Sequence, residues 1–314
     1  MVRPGRGFGP RRVMKKASEV LKERAEALAE SRTIKPVKGD CAYDFLQAMM
    51  DARTPDGHCM TAERIQTELF VIMSAGTEGF GSTASGLMVE VLSHPTILER
   101  VLAEIKGAAE AGKLSYPVPT YAEVAQHLPF YVACVQESLR LHPLTSSLLP
   151  REITVSDPEL VVNGRVIPIG TEVACNAWIC GRDRALYGPD AEEYNPDRWL
   201  SDPEHAKTYE KYNFSFGYGP RTCIGKHLAK AMLYKTLVAL LMKFRVTVCE
   251  ESWQTPKPSN RLYGPNLLWE NVWLNLEERQ LCHFGDGEES PSASPDTREG
   301  VENSGDKSAE VVHS

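Results

Sequence analysis

One cysteine in a glycine-rich loop is the residue of this chain best suited to metal chemistry. Cys223 stands in the run Phe216-Gly-Tyr-Gly-Pro-Arg-Thr-Cys-Ile-Gly225, just ahead of a stretch that predicts a helix. The positive end of a helix, with its free N–H groups, favours a thiolate over a thiol. A thiolate is one of the few side chains that bind haem iron from the protein side. A lone cysteine is otherwise more often a buried packing residue, so the surrounding residues must decide.

The residues around the sulfur favour a metal ligand. Gly219 and Gly225 would let the backbone approach a flat group closely. Arg221, two residues before the sulfur, can pair with an acidic group on such a ligand, and Phe216 can pack beside the sulfur and exclude water.

A second region with chemical potential is the glycine-rich segment 74–86, in the middle of a predicted long helix. Each glycine inside a helix costs roughly 1 kcal/mol relative to alanine. That cost is explained if a flat group or a small molecule lies against the helix there. Close packing of another helix, or a break in this one, are the alternatives.

Charged residues upstream of the cysteine form a third pattern. Glu137 and Arg140 stand three apart on one predicted helix among apolar residues, so a buried ion pair is expected. A buried pair needs further partners to offset its desolvation, and Arg198 is the predicted third member. Arg151, at the start of the predicted sheet, has the planar fork that suits a carboxylate, although a surface arginine is the alternative.

These patterns together resemble the cytochrome P450 family of haem-thiolate monooxygenases. Residues 216–225 fill every position of its haem-binding signature F-x-x-G-x-R-x-C-x-G. The motifs E-x-x-R, at 137–140, and P-x-R-W, at 196–199, follow in the family's order and spacing. Segments 176–200 and 225–229 look most like the fungal pisatin demethylase-like and benzoate hydroxylase-like branch.

The resemblance implies haem b as the cofactor, with Cys223 as the axial ligand of its iron. It implies that Arg221 and Arg151 hold the propionates. The other residues that the resemblance places against the haem are Phe216, Gly219, Gly225 and Gly76.

The long helix matches the family's oxygen-binding segment with one departure. Ala75, Gly76 and Glu78 match, but Gly79 stands where the family usually carries a threonine. The resemblance assigns Glu78 to a proton relay, and Ser82, Thr83, an ordered water or a substrate hydroxyl would replace the missing alcohol. Unproductive oxygen activation is the remaining alternative.

By resemblance, the protein inserts one atom of O2 into a small apolar organic substrate of secondary metabolism. Electrons would come from NADPH through the flavoprotein NADPH–cytochrome P450 reductase. The basic residues after the cysteine would face that acidic partner, or they form a merely solvated helix face: Lys226, His227, Lys230 and Lys235.

The resemblance covers residues 13–280, which correspond to the C-terminal two-thirds of the family's fold. The family's membrane anchor, first helices and one small sheet precede the matched part. Two alternatives therefore stay open: a catalytically inactive remnant, and a haem-thiolate isomerase or dehydratase that does not need the threonine.

The elements that must position these residues are mainly helices, with a small β-sheet region. The apolar periodicity predicts a helix from Val13 to about Ser31, a short one at 45–50, and a long one from the N-cap Thr61 to Ser93. Asn163-Gly164 predicts a hairpin turn, and a last strand pair is expected near 267–276. The remaining predicted helices are 97–111, 120–127, 130–141 and 225–244.

The composition of the chain limits its domain organisation and the state of its cysteines. The chain has 314 residues, 42% of them hydrophobic, a formal net charge of −7 and eight cysteines without a C-x-x-C pair, so reduced thiols are expected. We predict an irregular basic N-terminus (1–12), a haem-thiolate domain (13–280) and a disordered acidic tail (281–314). We expect no nucleic-acid partner and no transmembrane segment or signal peptide, with a location in the cytoplasm or peripherally on the endoplasmic reticulum membrane.

Overall fold

The structure, a computed structural model, describes residues 10–29, 44–155, 157–250 and 256–279. Ten α-helices occur within these ranges. They are α1 (Pro10–Ala29), α2 (Phe45–Asp51), α3 (Ala62–Ser93), α4 (Pro95–Glu110), α5 (Tyr121–His127), α6 (Pro129–Leu141), α7 (Ala177–Cys180), α8 (Arg184–Tyr187), α9 (Pro203–Tyr212) and α10 (Lys226–Lys243). None of these helices is both long and apolar enough to cross a lipid bilayer.

The helix starts follow from local sequence. The Thr61 hydroxyl accepts a hydrogen bond from the Arg64 N–H and so caps α3, as predicted. Thr120 and Glu123 form a capping box at the start of α5, satisfying two backbone donors. Both α4 and α6 begin with a proline, which needs no hydrogen-bond partner for its nitrogen in a first turn.

The start of α6 is also held by a neighbouring helix. The Glu104 carboxylate in α4 accepts hydrogen bonds from the N–H groups of Phe130 (2.8 Å) and Tyr131 (2.9 Å). Burial raises the pKa of Glu104, although these two backbone hydrogen bonds act in the opposite direction. This contact fixes the position of α6, which carries Glu137 and Arg140.

The strands form four separate two-stranded antiparallel sheets. The pairs are β1 (Arg151–Glu152) with β4 (Glu172–Val173), β2 (Val161–Val162) with β3 (Arg165–Val166), β5 (Phe244–Val248) with β8 (Leu274–Glu278), and β6 (Ser259–Tyr263) with β7 (Asn266–Glu270). At the β2–β3 turn both Asn163 (φ 49°) and Gly164 (φ 75°) have positive φ, which confirms the predicted hairpin.

The apolar core lies in two places along α3. The larger cluster joins the second half of α3 to α4, α5, α6, α10 and β5, with fully buried side chains such as Leu87, Val101 and Val238. A smaller cluster, which includes Ala17, Leu46 and Leu69, joins α1 and α2 to the first half of α3. The 32 residues of α3 span roughly 48 Å at about 1.5 Å per residue, so this helix reaches both clusters.

The predicted class, mainly α with small β elements, is confirmed. Three details differ from the predictions. The first helix starts at Pro10, inside the segment predicted to be irregular. The last two strands do not pair with each other, since β7 pairs with β6 and β8 with β5. Helices α7, α8 and α9 were not predicted. The tail 281–314 and residues 1–9 lie outside the described residues.

Candidate functional site

Backbone hydrogen bonds within the cysteine loop (216–225) fix the position of Cys223. Two short 3-10 turns, at 214–216 and 219–221, lead to Cys223, whose N–H donates to the Phe216 carbonyl oxygen at 2.8 Å. Helix α10 then begins at Lys226, and the Lys226 N–H donates to the Cys223 carbonyl oxygen at 3.2 Å. The Cys223 side chain is exposed just ahead of the first turn of α10. The loop therefore presents a thiol rather than burying it.

The glycines of this loop have a conformational role. Gly217 (φ 71°) and Gly219 (φ 69°) lie in the left-handed region, which side chains disfavour. A Cβ on Gly225 would lie 3.7 Å from the Cys223 sulfur, so any side chain there would stand beside the thiol. The Phe216 side chain packs against the larger core cluster and anchors the loop to the helices.

The two arginines predicted to bind carboxylates are both exposed. Arg151 donates hydrogen bonds from Nη1 to the backbone oxygens of Leu149 (3.1 Å) and Pro150 (3.0 Å), which leaves Nη2 available. Within the described part of the chain, Arg221 has no hydrogen-bond or ion-pair partner. Both guanidinium groups can therefore donate hydrogen bonds to an external carboxylate without losing an existing ion pair.

Helix α3 runs beside β7, and polar groups join the two. The Ser82 hydroxyl donates to the Leu267 carbonyl oxygen (2.8 Å) and accepts from the Trp269 N–H (3.2 Å). One turn earlier, the exposed Glu78 carboxylate accepts a hydrogen bond from the Asn266 side chain at 3.5 Å. Ser82 is buried, so its hydroxyl serves the α3–β7 contact.

A different face of α3 carries the small residues. Gly76, Gly79 and Thr83 stand three, four and seven residues apart, which places them on one side of a helix. A Cβ on Gly76 would have nothing within 4 Å, and one on Gly79 would meet only the Leu144 side chain at 3.5 Å. Of the two hydroxyls predicted to replace the missing alcohol, Thr83 is the one on this face. The helix does not break at its glycines, so that alternative is excluded.

Helix α6 carries a buried ion cluster centred on Glu137. Its carboxylate accepts hydrogen bonds from Arg140 Nε and Nη2 (both 2.7 Å), from Arg198 Nε (2.9 Å), from Trp199 Nε1 (2.9 Å) and from the Asn195 N–H (2.9 Å). The Glu137 side chain is 0% exposed. One negative charge is thus shared by two guanidinium groups, and the predicted third member of the cluster is confirmed as Arg198.

The remaining donors of the two arginines bind backbone oxygens and the Asp190 carboxylate. Arg140 donates to the carbonyls of Gly181, Ala191 (2.5 Å) and Glu193 (3.0 Å). Arg198 donates to the Tyr187 carbonyl (2.7 Å) and pairs with Asp190 (3.0 Å). Burial acts to lower the pKa of Arg198, but the charges of Glu137 and Asp190 outweigh it and the pKa is raised. The cluster therefore ties segment 181–199 to α6.

These motifs, in this order and on this helical frame, define one protein class. The cytochrome P450 family model matches residues 10–269, so the chain belongs to the cytochrome P450 family.

Curated relatives from fungi match most of the chain. Quiannulatic acid synthase of Emericella variicolor is 49% identical over 280 residues, which cover 89% of this chain and 51% of that protein. Cytochrome P450 monooxygenase cicH of Emericella nidulans is 35% identical over 66% of this chain and 41% of its own length. Cytochrome P450 monooxygenase gsfF of Penicillium aethiopicum is 32% identical over 79% of this chain and 48% of its own length. The chain spans about half the length of these relatives.

The family implies haem, and the residues present fit it. The fit is one of chemistry: the exposed Cys223 thiol is of the kind that binds haem iron, and the exposed guanidinium groups of Arg221 and Arg151 are of the kind that bind carboxylates. Two apolar side chains in the loop itself stand exposed beside the thiol, Ile224 (100%) and Tyr218 (70%). Such exposure suits a large apolar group that rests on this surface.

Sequence reasoning missed Asn266, the hydrogen-bond partner of Glu78. The two residues are 188 positions apart, and only the pairing of β6 with β7 beside α3 brings them together. No local pattern in the sequence marks this contact.

Proposed function

We propose that this chain is the haem-binding part of a monooxygenase that inserts one atom of O2 into an apolar organic molecule. The exposed Cys223 thiol, fixed by its backbone hydrogen bond to Phe216 and placed ahead of α10, carries the proposal. When bound, the haem iron would supply the activation of O2. Cys223 would be its ligand, and Arg221 and Arg151 would hold its propionates.

In this proposal the small-residue face of α3 receives the flat cofactor and the oxygen. Gly76 and Gly79 leave room there because they have no Cβ. Glu78, elsewhere on the same stretch of α3, would serve in the proton relay, and Asn266 orients its carboxylate through the 3.5 Å hydrogen bond. Thr83, on the same face, would replace the threonine that Gly79 lacks, whereas Ser82 keeps its hydroxyl on the β7 backbone.

The proposed electron source is NADPH, through a flavoprotein reductase that docks near α10. Lys226, His227 and Lys235 lie on this helix, and Lys230 is 3.7 Å from Glu210. A basic surface attracts an acidic partner, and such steering weakens as salt is added. Peripheral placement on the endoplasmic reticulum membrane, where such a reductase would be met, also stays a prediction.

The proposed substrate is an apolar secondary metabolite. The relative with 49% identity is named quiannulatic acid synthase, and others are named monooxygenases, which supports oxidation of a carbon skeleton. Within the family, segments 176–200 and 225–229 favour the pisatin demethylase-like or benzoate hydroxylase-like branch, and that finer assignment is proposed here as well.

A carbon monoxide difference spectrum tests the ligand directly. The chain, supplied with haem and reduced with dithionite, should show the strongly red-shifted Soret band of thiolate ligation. Cys223→Ser should abolish the shift, whereas Cys59→Ser, at an exposed cysteine far from the loop in sequence, should keep it. A red-shifted band in Cys223→Ser would disprove the ligand assignment. Absence of haem uptake by the native chain would reject the proposal for this chain.

A further inference from the structure

A second thiol site lies away from the cysteine loop. The Cys175 and Cys180 sulfur atoms are 3.2 Å apart, and both thiols are free. Cys175 follows β4 and is exposed, and Cys180 is the last residue of α7 and is partly exposed. A disulfide bond is about 2.05 Å long, so the sulfurs need to approach by little more than 1 Å.

We propose that Cys175 and Cys180 form a redox-active dithiol that closes to an intramolecular disulfide when peroxide is present. This site plays no part in the proposed haem chemistry, and it changes the expectation that all the cysteines are reduced.

The local backbone keeps the two thiols together. Asn176 lies between β4 and α7, and its Oδ1 accepts hydrogen bonds from Trp178 (2.9 Å) and Ile179 (3.2 Å), which starts α7 immediately after Cys175. The Asn176 Nδ2 donates to the Ser146 carbonyl at 3.0 Å, which ties this turn to the chain after α6. Gly181 directly follows Cys180, and its carbonyl oxygen accepts a hydrogen bond from Arg140, which fixes that end. Both ends of the five-residue step are thus anchored.

The two thiols have different roles. Burial and the contact with Cys175 raise the pKa of Cys180 to about 12, so Cys180 keeps its proton. Cys175 is the more accessible sulfur, and we assign it as the one that reacts first. A surface cavity of about 500 Å³ lined by Trp178, Cys180 and Arg182, among others, gives a small oxidant or thiol access to the second sulfur.

The chemistry balances with hydrogen peroxide as the oxidant. The Cys175 thiolate attacks one peroxide oxygen, an S–O bond forms, the O–O bond breaks, and the proton lost by Cys175 leaves with the second oxygen as water. Cys180 then attacks the Cys175 sulfur, the S–S bond forms, the S–O bond breaks, and the departing hydroxide takes the Cys180 proton as a second water. Two electrons pass from the thiols to the peroxide, and an added dithiol reverses the reaction.

Peptide mass analysis of the full chain tests this proposal. No Lys or Arg separates the two cysteines, so trypsin leaves both in the peptide 166–182. After brief peroxide treatment and blocking of free thiols, this peptide should have lost two hydrogens and carry no blocking group. Dithiothreitol should restore both thiols. Cys175→Ser should leave Cys180 free to be blocked, and Cys59→Ser should behave like the native chain.

Two results would overturn the proposal. One is a peptide that carries two blocking groups after peroxide has already oxidised the exposed Cys59. The other is a peptide that gains oxygen atoms without losing two hydrogens. Both are read from the native chain, so the test holds even if the Cys175→Ser chain does not fold.

Discussion

The Ser82 hydroxyl donates a hydrogen bond to the Leu267 carbonyl oxygen at 2.8 Å and thereby joins α3 to β7. The Ser82 hydroxyl oxygen also accepts a hydrogen bond from the Trp269 N–H at 3.2 Å. Because the Ser82 hydroxyl is engaged with β7, it is not available to replace the missing threonine of α3. The contact between Ser82 and Leu267 also sets the distance at which Asn266 reaches Glu78, since Asn266 directly precedes Leu267.

Ser82→Ala should lower the free energy of unfolding by about 1–3 kcal/mol, because two backbone groups of β7 lose a buried partner. Urea unfolding followed by circular dichroism measures the change. Ser85→Ala is the matched control on α3, since the Ser85 hydroxyl has no partner among the described residues, and it should leave stability nearly unchanged. Equal stability of the two variants would show that the α3–β7 hydrogen bonds contribute nothing.

Glu137→Gln should destabilise the chain by about 3–5 kcal/mol, because it leaves Arg140 buried without its counter-charge and Arg198 with Asp190 alone. Asp197→Asn is the control: Asp197 makes a two-bond ion pair with Arg100 (2.7 and 2.8 Å), but both side chains are about half exposed. Its loss should cost less than about 1 kcal/mol. Similar losses in the two variants would mean that burial does not set the strength of the cluster.

Gly181→Ala should destabilise the chain by about 1–3 kcal/mol, because the new methyl group would lie 2.3 Å from the Arg140 carbonyl oxygen, a backbone atom that cannot move aside. In Gly107→Ala the added methyl group, on α4, would have nothing within 4 Å. That control should gain about 1 kcal/mol from helix propensity. Thermal unfolding of both variants gives the comparison. A Gly181→Ala chain as stable as the native one would refute the close contact.

The Glu123 carboxylate should make stability depend on pH. A hydrogen bond from the Ser115 hydroxyl, with others from the Thr120 and Ser115 N–H groups, lowers its pKa from 4.5 to about 2. Because the folded-state pKa is the lower one, the stabilisation is fully present above pH 4.5 and is lost as the pH falls towards 2.

The stability difference between the native chain and Glu123→Gln should therefore shrink between pH 4.5 and pH 2. Urea unfolding at a series of pH values measures it. Ser115→Ala should weaken this pH dependence, since it removes the largest cause of the shift. A difference that stays constant down to pH 2 would contradict the assignment.

Features with a local cause could be predicted from the sequence. The cap at Thr61 and the positive φ values at Asn163-Gly164 follow from neighbouring residues, and the structure contains both. Helix α9 was missed although its signals are local too: Asp202 caps it and Pro203 opens it.

Long-range contacts could not be predicted from the residues alone. Strand β8 pairs with β5, about 30 residues earlier, because β6 and β7 pair with each other instead. The Glu104 cap of α6 and the Asn266 contact of Glu78 likewise depend on packing. The ion cluster could be predicted because the spacing of its motifs is specific. The hydrogen bond from Ser82 to β7 could not be predicted, because it depends on where that strand lies.

Helix α3 has no buried residue between positions 70 and 81, although it is buried on both sides of this interval, at Ile65 and Leu69 and again from Ser82 onward. We therefore expect its two halves to belong to separate cooperative units, so that the first opens with α1 and α2 while the second stays packed. The amide hydrogen exchange rate measured along α3 should therefore fall in one step between residues 70 and 81. Exchange should be slow only in the residues that follow this interval.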